Sequence, residues 1–126
     1  MNKLVLTLVI FFSISATARE KEVWSCQGTN STGFSWSADE LIEQEFYAEN
    51  YLLTVDGMNS ILRVNGTDEP MECRTVGSFH RCSSFTNLVV LKLTTGRGAY
   101  STVSGVIQKG DGADSIVATV LQCSKF

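Results

Sequence analysis

The four cysteines are the residues whose chemistry this sequence constrains most. Cys73 and Cys82 flank segment 74–81, and its central Gly77-Ser78 is typical of the two-residue loop of a type II′ β-hairpin. Such a turn places Cys73 directly opposite Cys82, within the Cα separation that a disulfide requires. We therefore predict a Cys73–Cys82 disulfide, and we expect Cys26 and Cys123 to join the first and last strands.

The same residue types do not predict a metal or catalytic site. The chain has no C-x-x-C pair and only one histidine, His80, whereas zinc sites need closely spaced ligands. A nucleophilic cysteine needs a reduced thiol with a base nearby, and we expect His80 to be a packed or surface residue. The five acidic residues in segment 39–49 are typical of a solvated face. We expect no metal, no cofactor and no enzymatic activity.

Two arginines define a candidate recognition surface. Arg74 and Arg81 lie opposite each other in the predicted hairpin, and like charges directly opposed are destabilising. Either an anionic partner lies between them, or acidic residues of segment 68–72 neutralise the pair. Arginine and tyrosine dominate the energetics of recognition surfaces. The proposed surface comprises Arg74, Arg81, Arg97 and Tyr100.

The elements that must position these residues are strands. Short runs of alternating apolar and polar residues, bounded by Gly, Asn and Asp, predict eight or nine antiparallel strands. They cover approximately residues 22–28, 33–37, 51–56, 59–65, 71–76, 79–83, 87–93, 99–108 and 115–124. Asp56-Gly57 and Asn65-Gly66 predict hairpin turns, and the single proline, Pro70, is expected at a strand start.

Segment 37–49 is ambiguous. Ser37 and Glu40 have the spacing of a helix capping box, and Ile42 with Phe46 would give a short helix an apolar stripe. Ile42, Gln44 and Phe46 also alternate as a strand would. We leave helix and strand open and favour a strand that continues toward Tyr51.

The strand pattern predicts an all-β fold with two disulfides. Many short strands without βαβ alternation favour a small antiparallel up-and-down barrel or a curled sandwich. Trp24 and Cys26 share one face of the first strand, so we expect Trp24 in the core beside the Cys26–Cys123 disulfide. A barrel this small has little room for an internal ligand.

The first 18 residues predict a secretory signal peptide. Lys3 precedes an apolar run at residues 4–14, and Ala16-Thr17-Ala18 provides a small-x-small cleavage site. No second apolar stretch approaches the length of a membrane span. The remaining residues, 19–126, predict a single exported domain in the periplasm or outside the cell, where disulfides persist.

The charge of the predicted mature chain is unevenly distributed. Residues 19–72 hold 11 acidic and 3 basic residues, whereas residues 73–126 hold 2 acidic and 6 basic ones. The two halves either pair across one sheet or form a field that orients a charged partner. The acidic balance of the whole chain excludes nucleic-acid binding by charge alone.

A resemblance rests on a set of motifs in a fixed order along the chain. These are Trp24-x-Cys26, Gly33-Phe34-x-Trp36, Tyr51-Leu52-Leu53, Cys73, Cys82, Thr95-Gly96-Arg97-Gly98 and a final Gln122-Cys123-x-x-Phe126. This order resembles a group of uncharacterised small exported proteins of Gram-negative bacteria. More distantly, the chain is similar to the membrane-bound inhibitors of C-type lysozyme, whose inhibitory loop has a Ser-Gly-x-x-Tyr pattern. Here Thr95 stands in place of that serine, and the spacing from this position to Tyr100 is one residue longer than in the inhibitor pattern.

These observations predict a non-catalytic exported β-domain that acts by recognising a protein or an envelope component. Two alternatives remain open. The distant resemblance implies a periplasmic lysozyme inhibitor, and an apolar cavity of about 300 Å³ or more would favour a small-ligand-binding barrel.

Overall fold

Nine strands make up most of the chain in a computed structural model that describes residues 20–38, 40–103 and 115–126. The strands are β1 (Glu22–Ser37), β2 (Glu40–Glu45), β3 (Asn50–Val55), β4 (Ser60–Val64), β5 (Thr67–Val76), β6 (Phe79–Ser83), β7 (Asn87–Lys92), β8 (Arg97–Thr102) and β9 (Ser115–Lys125). A short 3₁₀ turn covers Gly57–Asn59. The predicted signal peptide, residues 1–18, lies outside the described residues, as does part of the predicted strand 99–108.

The sheet closes into a barrel. From β3 to β9 each strand pairs antiparallel with the next, and β1 pairs with both β3 and β9. Eight strands therefore form the closed barrel, and β2 is a ninth strand that pairs with β1. The predicted all-β fold is confirmed as the antiparallel barrel rather than the sandwich.

The first strand is longer than its sequence pattern predicts. Residues 22–28 and 33–37, predicted as two strands, belong to one strand with an irregularity between Gly28 and Asn30. Polar residues and glycines adopt an extended conformation here because β9 pairs with β1 along most of its length. In addition, β3 pairs with the first half of β1 and β2 with the second half. Residues 40–45 form a strand, as we favoured, but this strand ends at Glu45 and does not continue to Tyr51, since β3 begins separately at Asn50.

Both predicted disulfides are present. Val76 pairs with Phe79 across Gly77-Ser78, Gly77 has a φ of 57°, and Cys73 stands opposite Cys82 and is bonded to it. Cys26 stands opposite Cys123 in the β1–β9 pair and is bonded to it. The turn at Gly77-Ser78 thus brings Cys73 opposite Cys82, and the β1–β9 pairing that closes the barrel brings Cys26 opposite Cys123.

One turn and one proline differ from the prediction. Asp56-Gly57 is part of a four-residue connection, because Thr54 pairs with Ile61. The Ser60 hydroxyl accepts a hydrogen bond from Asp56 N–H and donates one to the Gly57 carbonyl, both at 2.8 Å. Pro70 lies inside β5 instead of at its start. The proline is tolerated there because pairing with β6 begins only at Glu72.

Side chains fill the barrel interior. Trp24 lies in the core, as expected, together with both disulfides. The largest fully buried side chains are Leu53, Leu62, Leu91, Leu121 and Val89. Within the described ranges, the chain contains no helix with the length and apolar character of a membrane span.

Candidate functional site

Arg74 and Arg81 lie on the outer surface of the barrel. They are directly opposed across β5 and β6, as predicted, and both are exposed. Glu72 accepts hydrogen bonds from Arg74 Nε at 3.2 Å and from Arg74 Nη2 at 2.9 Å. Glu72 therefore neutralises Arg74, and the alternative in which segment 68–72 neutralises both arginines is met for Arg74 alone. Arg81 has no acidic partner among the residues that the structure describes.

Two further cations lie on the same outer surface. Lys92 ends β7, Arg97 begins β8, and both are exposed on either side of the turn that joins these strands. The Leu91–Gly98 pair places them next to each other at the strand ends. Arg97 is thus about 10 to 15 Å from Arg81, since it lies two strands and two residues away.

Exposed apolar side chains accompany these cations. Phe79 stands opposite Lys92 and Val76 stands opposite Phe79, so all three face outward. Phe79 is 42% and Val76 66% exposed. We call this surface the basic wall: Arg74, Val76, Phe79, Arg81, Lys92 and Arg97.

Tyr100 does not belong to the basic wall. It pairs with Val89 and with Thr119, both buried, so its side chain faces the barrel interior. Its ring lies 5.0 Å from that of Tyr51, and its hydroxyl donates to Asn87 Oδ1 at 3.1 Å. Burial, together with the nearby Tyr51 and Glu69, raises the Tyr100 pKa to about 12. Our expectation of an exposed Tyr100 is wrong because the strand alternation turns it inward.

Sequence reasoning missed Lys92, Phe79 and Val76. The hairpin turn at Gly77-Ser78 already places Val76 beside Phe79 on the face of the arginines. Lys92 could not be placed in the same way, because residues 84–86 between β6 and β7 contain no turn signature that fixes the pairing of these strands.

The turn before Arg97 has a strict geometric requirement. Gly96 is buried with a φ of 69°, and a Cβ atom at this position would lie 2.1 Å from the Cys123 carbonyl oxygen. The Gly96 carbonyl accepts a hydrogen bond from Cys123 N–H at 2.7 Å. This turn anchors Arg97 against the end of β9, where Arg97 pairs with Gln122.

A cleft of about 670 Å³ opens at the end of the barrel where β1 begins. Glu22 is one of the residues that line the cleft, and it accepts hydrogen bonds from His80 Nε2 at 2.7 Å, Trp24 Nε1 at 3.1 Å and Lys125 Nζ at 3.2 Å. The Thr75 hydroxyl lies 2.8 Å from His80 Nδ1. His80 is therefore a packed residue, and both of its ring nitrogens have partners.

The carboxyl group of Glu22 is strongly stabilised in its charged form. The His80 hydrogen bond is the main cause, and the Trp24 and Lys125 bonds add to it against the opposing effect of burial, so the Glu22 pKa falls to about 2. The network joins β1, β5, β6 and β9 at one end of the barrel. A smaller cavity of about 210 Å³ at the opposite end is lined by Tyr51, Tyr100 and Glu49 among others.

The described side chains contain no group of three or more His, Cys, Asp or Glu residues arranged to hold a metal ion. Comparisons of the chain with protein-family models, with curated proteins and with solved structures found no match. The functional assignment therefore depends on the geometry of the basic wall and the cleft.

Proposed function

We propose that this protein is an exported, non-catalytic β-barrel that uses its basic wall to bind an acidic surface of a protein partner. Two disulfides are typical of proteins in an oxidising, exported environment. The predicted signal peptide supports a location in the periplasm or outside the cell.

The observation that carries the proposal is the charge of three residues of the basic wall. Arg81, Lys92 and Arg97 are exposed and have no carboxylate partner within the described part of the chain. Phe79 supplies an apolar group among them. Arginine and aromatic side chains that a partner can desolvate together contribute most of the energy at interfaces, and their charge accelerates association with an acidic surface.

The experiment compares two double variants that change the net charge equally. Arg81→Gln/Arg97→Gln removes two charges from the basic wall, and Asn59→Glu/Thr67→Glu lowers the net charge by the same amount at exposed positions outside it. Each protein captures partners from an envelope extract at several salt concentrations, and the affinity of the main captured protein is then measured.

We expect the wall variant to weaken binding by about tenfold or more and the control variant to bind as the wild type does. Binding should also weaken with salt, because exposed charges are screened. Equal affinity of the wild type and the wall variant would overturn the proposal. A lysozyme activity assay with added protein tests the inhibitor alternative separately.

The cleft supports a second candidate function, the binding of a small ligand. Its volume of about 670 Å³ is within the range of small-molecule sites, and it combines Lys125 with the apolar Leu93 and Phe126. The anionic dye 8-anilinonaphthalene-1-sulfonate is a suitable probe. Dye fluorescence that increases with wild type but not with Lys125→Glu/Leu93→Asp would support this candidate, and no increase with either protein would reject it.

A further inference from the structure

Strand β2 lies at the end of the described sheet order, and one of its edges has no partner among the described strands. All six of its residues are exposed, and it pairs with β1 on one side only. No strand in the described part of the chain pairs with its other side. An unpaired edge presents backbone N–H and C=O groups that can accept an added strand.

The hydrogen bonds to β1 determine which backbone groups are free. Phe46 N–H donates to the Ser31 carbonyl at 3.0 Å, and hydrogen-bonded positions alternate along an antiparallel pair. Ile42 and Gln44 therefore direct their backbone groups toward β1. Leu41, Glu43 and Glu45 direct theirs toward the free edge.

The side chains of β2 define the chemistry of an added strand. Glu40, Glu43 and Glu45 have no lysine or arginine partner among the described residues. Leu41 is 38% and Ile42 44% exposed, on opposite faces of the strand. The edge thus offers three negative charges together with one apolar residue on each face.

These charges disfavour a second copy of this chain as the occupant. Antiparallel pairing of two β2 strands through their free edges, around a two-fold axis at Glu43, would place Glu43 opposite Glu43 and Leu41 opposite Glu45. Like charges directly opposed are destabilising. An extended segment whose basic residues have the same spacing as Glu45, Glu43 and Glu40 would instead pair each carboxylate with a cation.

We propose that the free edge of β2 binds an extended basic segment of a partner protein by strand addition. Backbone hydrogen bonds to Leu41, Glu43 and Glu45 provide the affinity, and the three glutamates select the basic sequence. This site is separate from the basic wall, and the proposal does not depend on the function assigned to that wall.

The probe is the blocked peptide Lys-Thr-Lys-Val-Val-Lys, which places lysines opposite all three glutamates in an antiparallel pair. Its affinity is measured by fluorescence anisotropy, and the amides it protects are identified by hydrogen exchange. We expect new protection at Leu41, Glu43 and Glu45 and little change at Ile42 and Gln44, whose amides already bond β1.

Two substitutions at one position separate strand addition from charge attraction. Glu43→Pro removes both the free-edge amide and the charge while sparing the hydrogen bonds to β1, whereas Glu43→Gln removes the charge alone. We expect Glu43→Pro to weaken binding at least tenfold beyond the effect of Glu43→Gln. A peptide with N-methyl groups on its edge-facing amides should bind the wild type as weakly as the unmodified peptide binds Glu43→Pro. Because this comparison uses the wild-type protein, it does not depend on whether Glu43→Pro folds.

Absence of peptide binding would overturn the proposal. Binding without new amide protection, or equal binding of the N-methylated peptide, would also overturn it, because charge attraction alone would then explain the affinity. Arg81→Gln/Arg97→Gln should leave peptide binding unchanged. Failure of the strand-addition proposal can therefore be distinguished from failure of the basic-wall proposal.

Discussion

Glu22 joins several strands of the barrel through one carboxyl group. Its bonds to His80, Trp24 and Lys125 lower its pKa to about 2. Because the folded pKa lies below the ordinary value of 4.5, the stabilisation is complete above about pH 5. It is lost as the pH falls toward 2 and the folded carboxylate becomes protonated.

We predict that Glu22→Gln lowers the free energy of unfolding at pH 7 by about 1 to 2 kcal/mol. The variant should also lose most of the decline in stability that the wild type shows between pH 5 and pH 2. Urea unfolding across this range measures both effects. Glu40→Gln, at an exposed position on β2, is the control and should follow the wild type. Parallel curves for the wild type and Glu22→Gln would contradict the role of Glu22.

Gly96 and Gly66 provide a matched pair for the geometry of the turns. Both have positive φ, 69° and 76°, but only Gly96 has backbone where a Cβ would lie, whereas Gly66 faces open space. We predict that Gly66→Ala costs about 1 kcal/mol and that Gly96→Ala costs about 3 kcal/mol or more. Thermal unfolding of both variants tests this, and equal costs would contradict the close approach to Cys123.

At the scale of elements, the two disulfides constrain the chain very differently. Cys73 and Cys82 are 9 residues apart, whereas Cys26 and Cys123 are 97 apart and connect the strands that close the barrel. In the chain-entropy model, the longer loop contributes about 2 kcal/mol more than the hairpin disulfide.

We predict that Cys26→Ala/Cys123→Ala destabilises the protein more than Cys73→Ala/Cys82→Ala does, by about 2 kcal/mol. Each variant removes one disulfide and leaves the other intact. Guanidinium unfolding of both gives the comparison. A larger loss from the hairpin variant would show that barrel closure depends less on the β1–β9 disulfide than the chain-entropy model requires.

The sequence predicted the elements whose geometry is set by neighbouring residues. Gly77-Ser78 determined the β5–β6 pairing, and therefore the Cys73–Cys82 disulfide and the opposed arginines. The 56–59 connection could not be predicted from Asp56-Gly57, because the Ser60 hydroxyl stabilises a longer turn. Tyr100 was misplaced for a related reason. The face of β8 on which the Tyr100 side chain lies depends on the pairing of β8 with β7 and β9. The segments that join these strands contain no turn signature that fixes that pairing.

At the scale of the whole molecule, the two charged halves of the sequence become two parts of one barrel. The acidic half contributes β1 to β4 and the first part of β5, and the basic half contributes the end of β5 from Cys73 and all of β6 to β9. Among the described residues, Arg63–Asp68 and Arg74–Glu72 are local ion pairs, and Glu22 with Lys125 and His80 links the halves. Arg81, Lys92 and Arg97 have no ion pair within the part of the chain that the structure describes, and we propose that these three residues contact the acidic partner.

Site-specific photocrosslinking tests the basic wall most directly. A benzophenone amino acid replaces Phe79 on the wall or, as control, Ile61 on β4, whose exposure of 39% is close to the 42% of Phe79. Both proteins are irradiated in an envelope extract. We predict a single major adduct from position 79 that disappears in the Arg81→Gln/Arg97→Gln background, and no such adduct from position 61. The same adduct from both positions, or one from position 79 that persists without the two arginines, would contradict recognition through the basic wall.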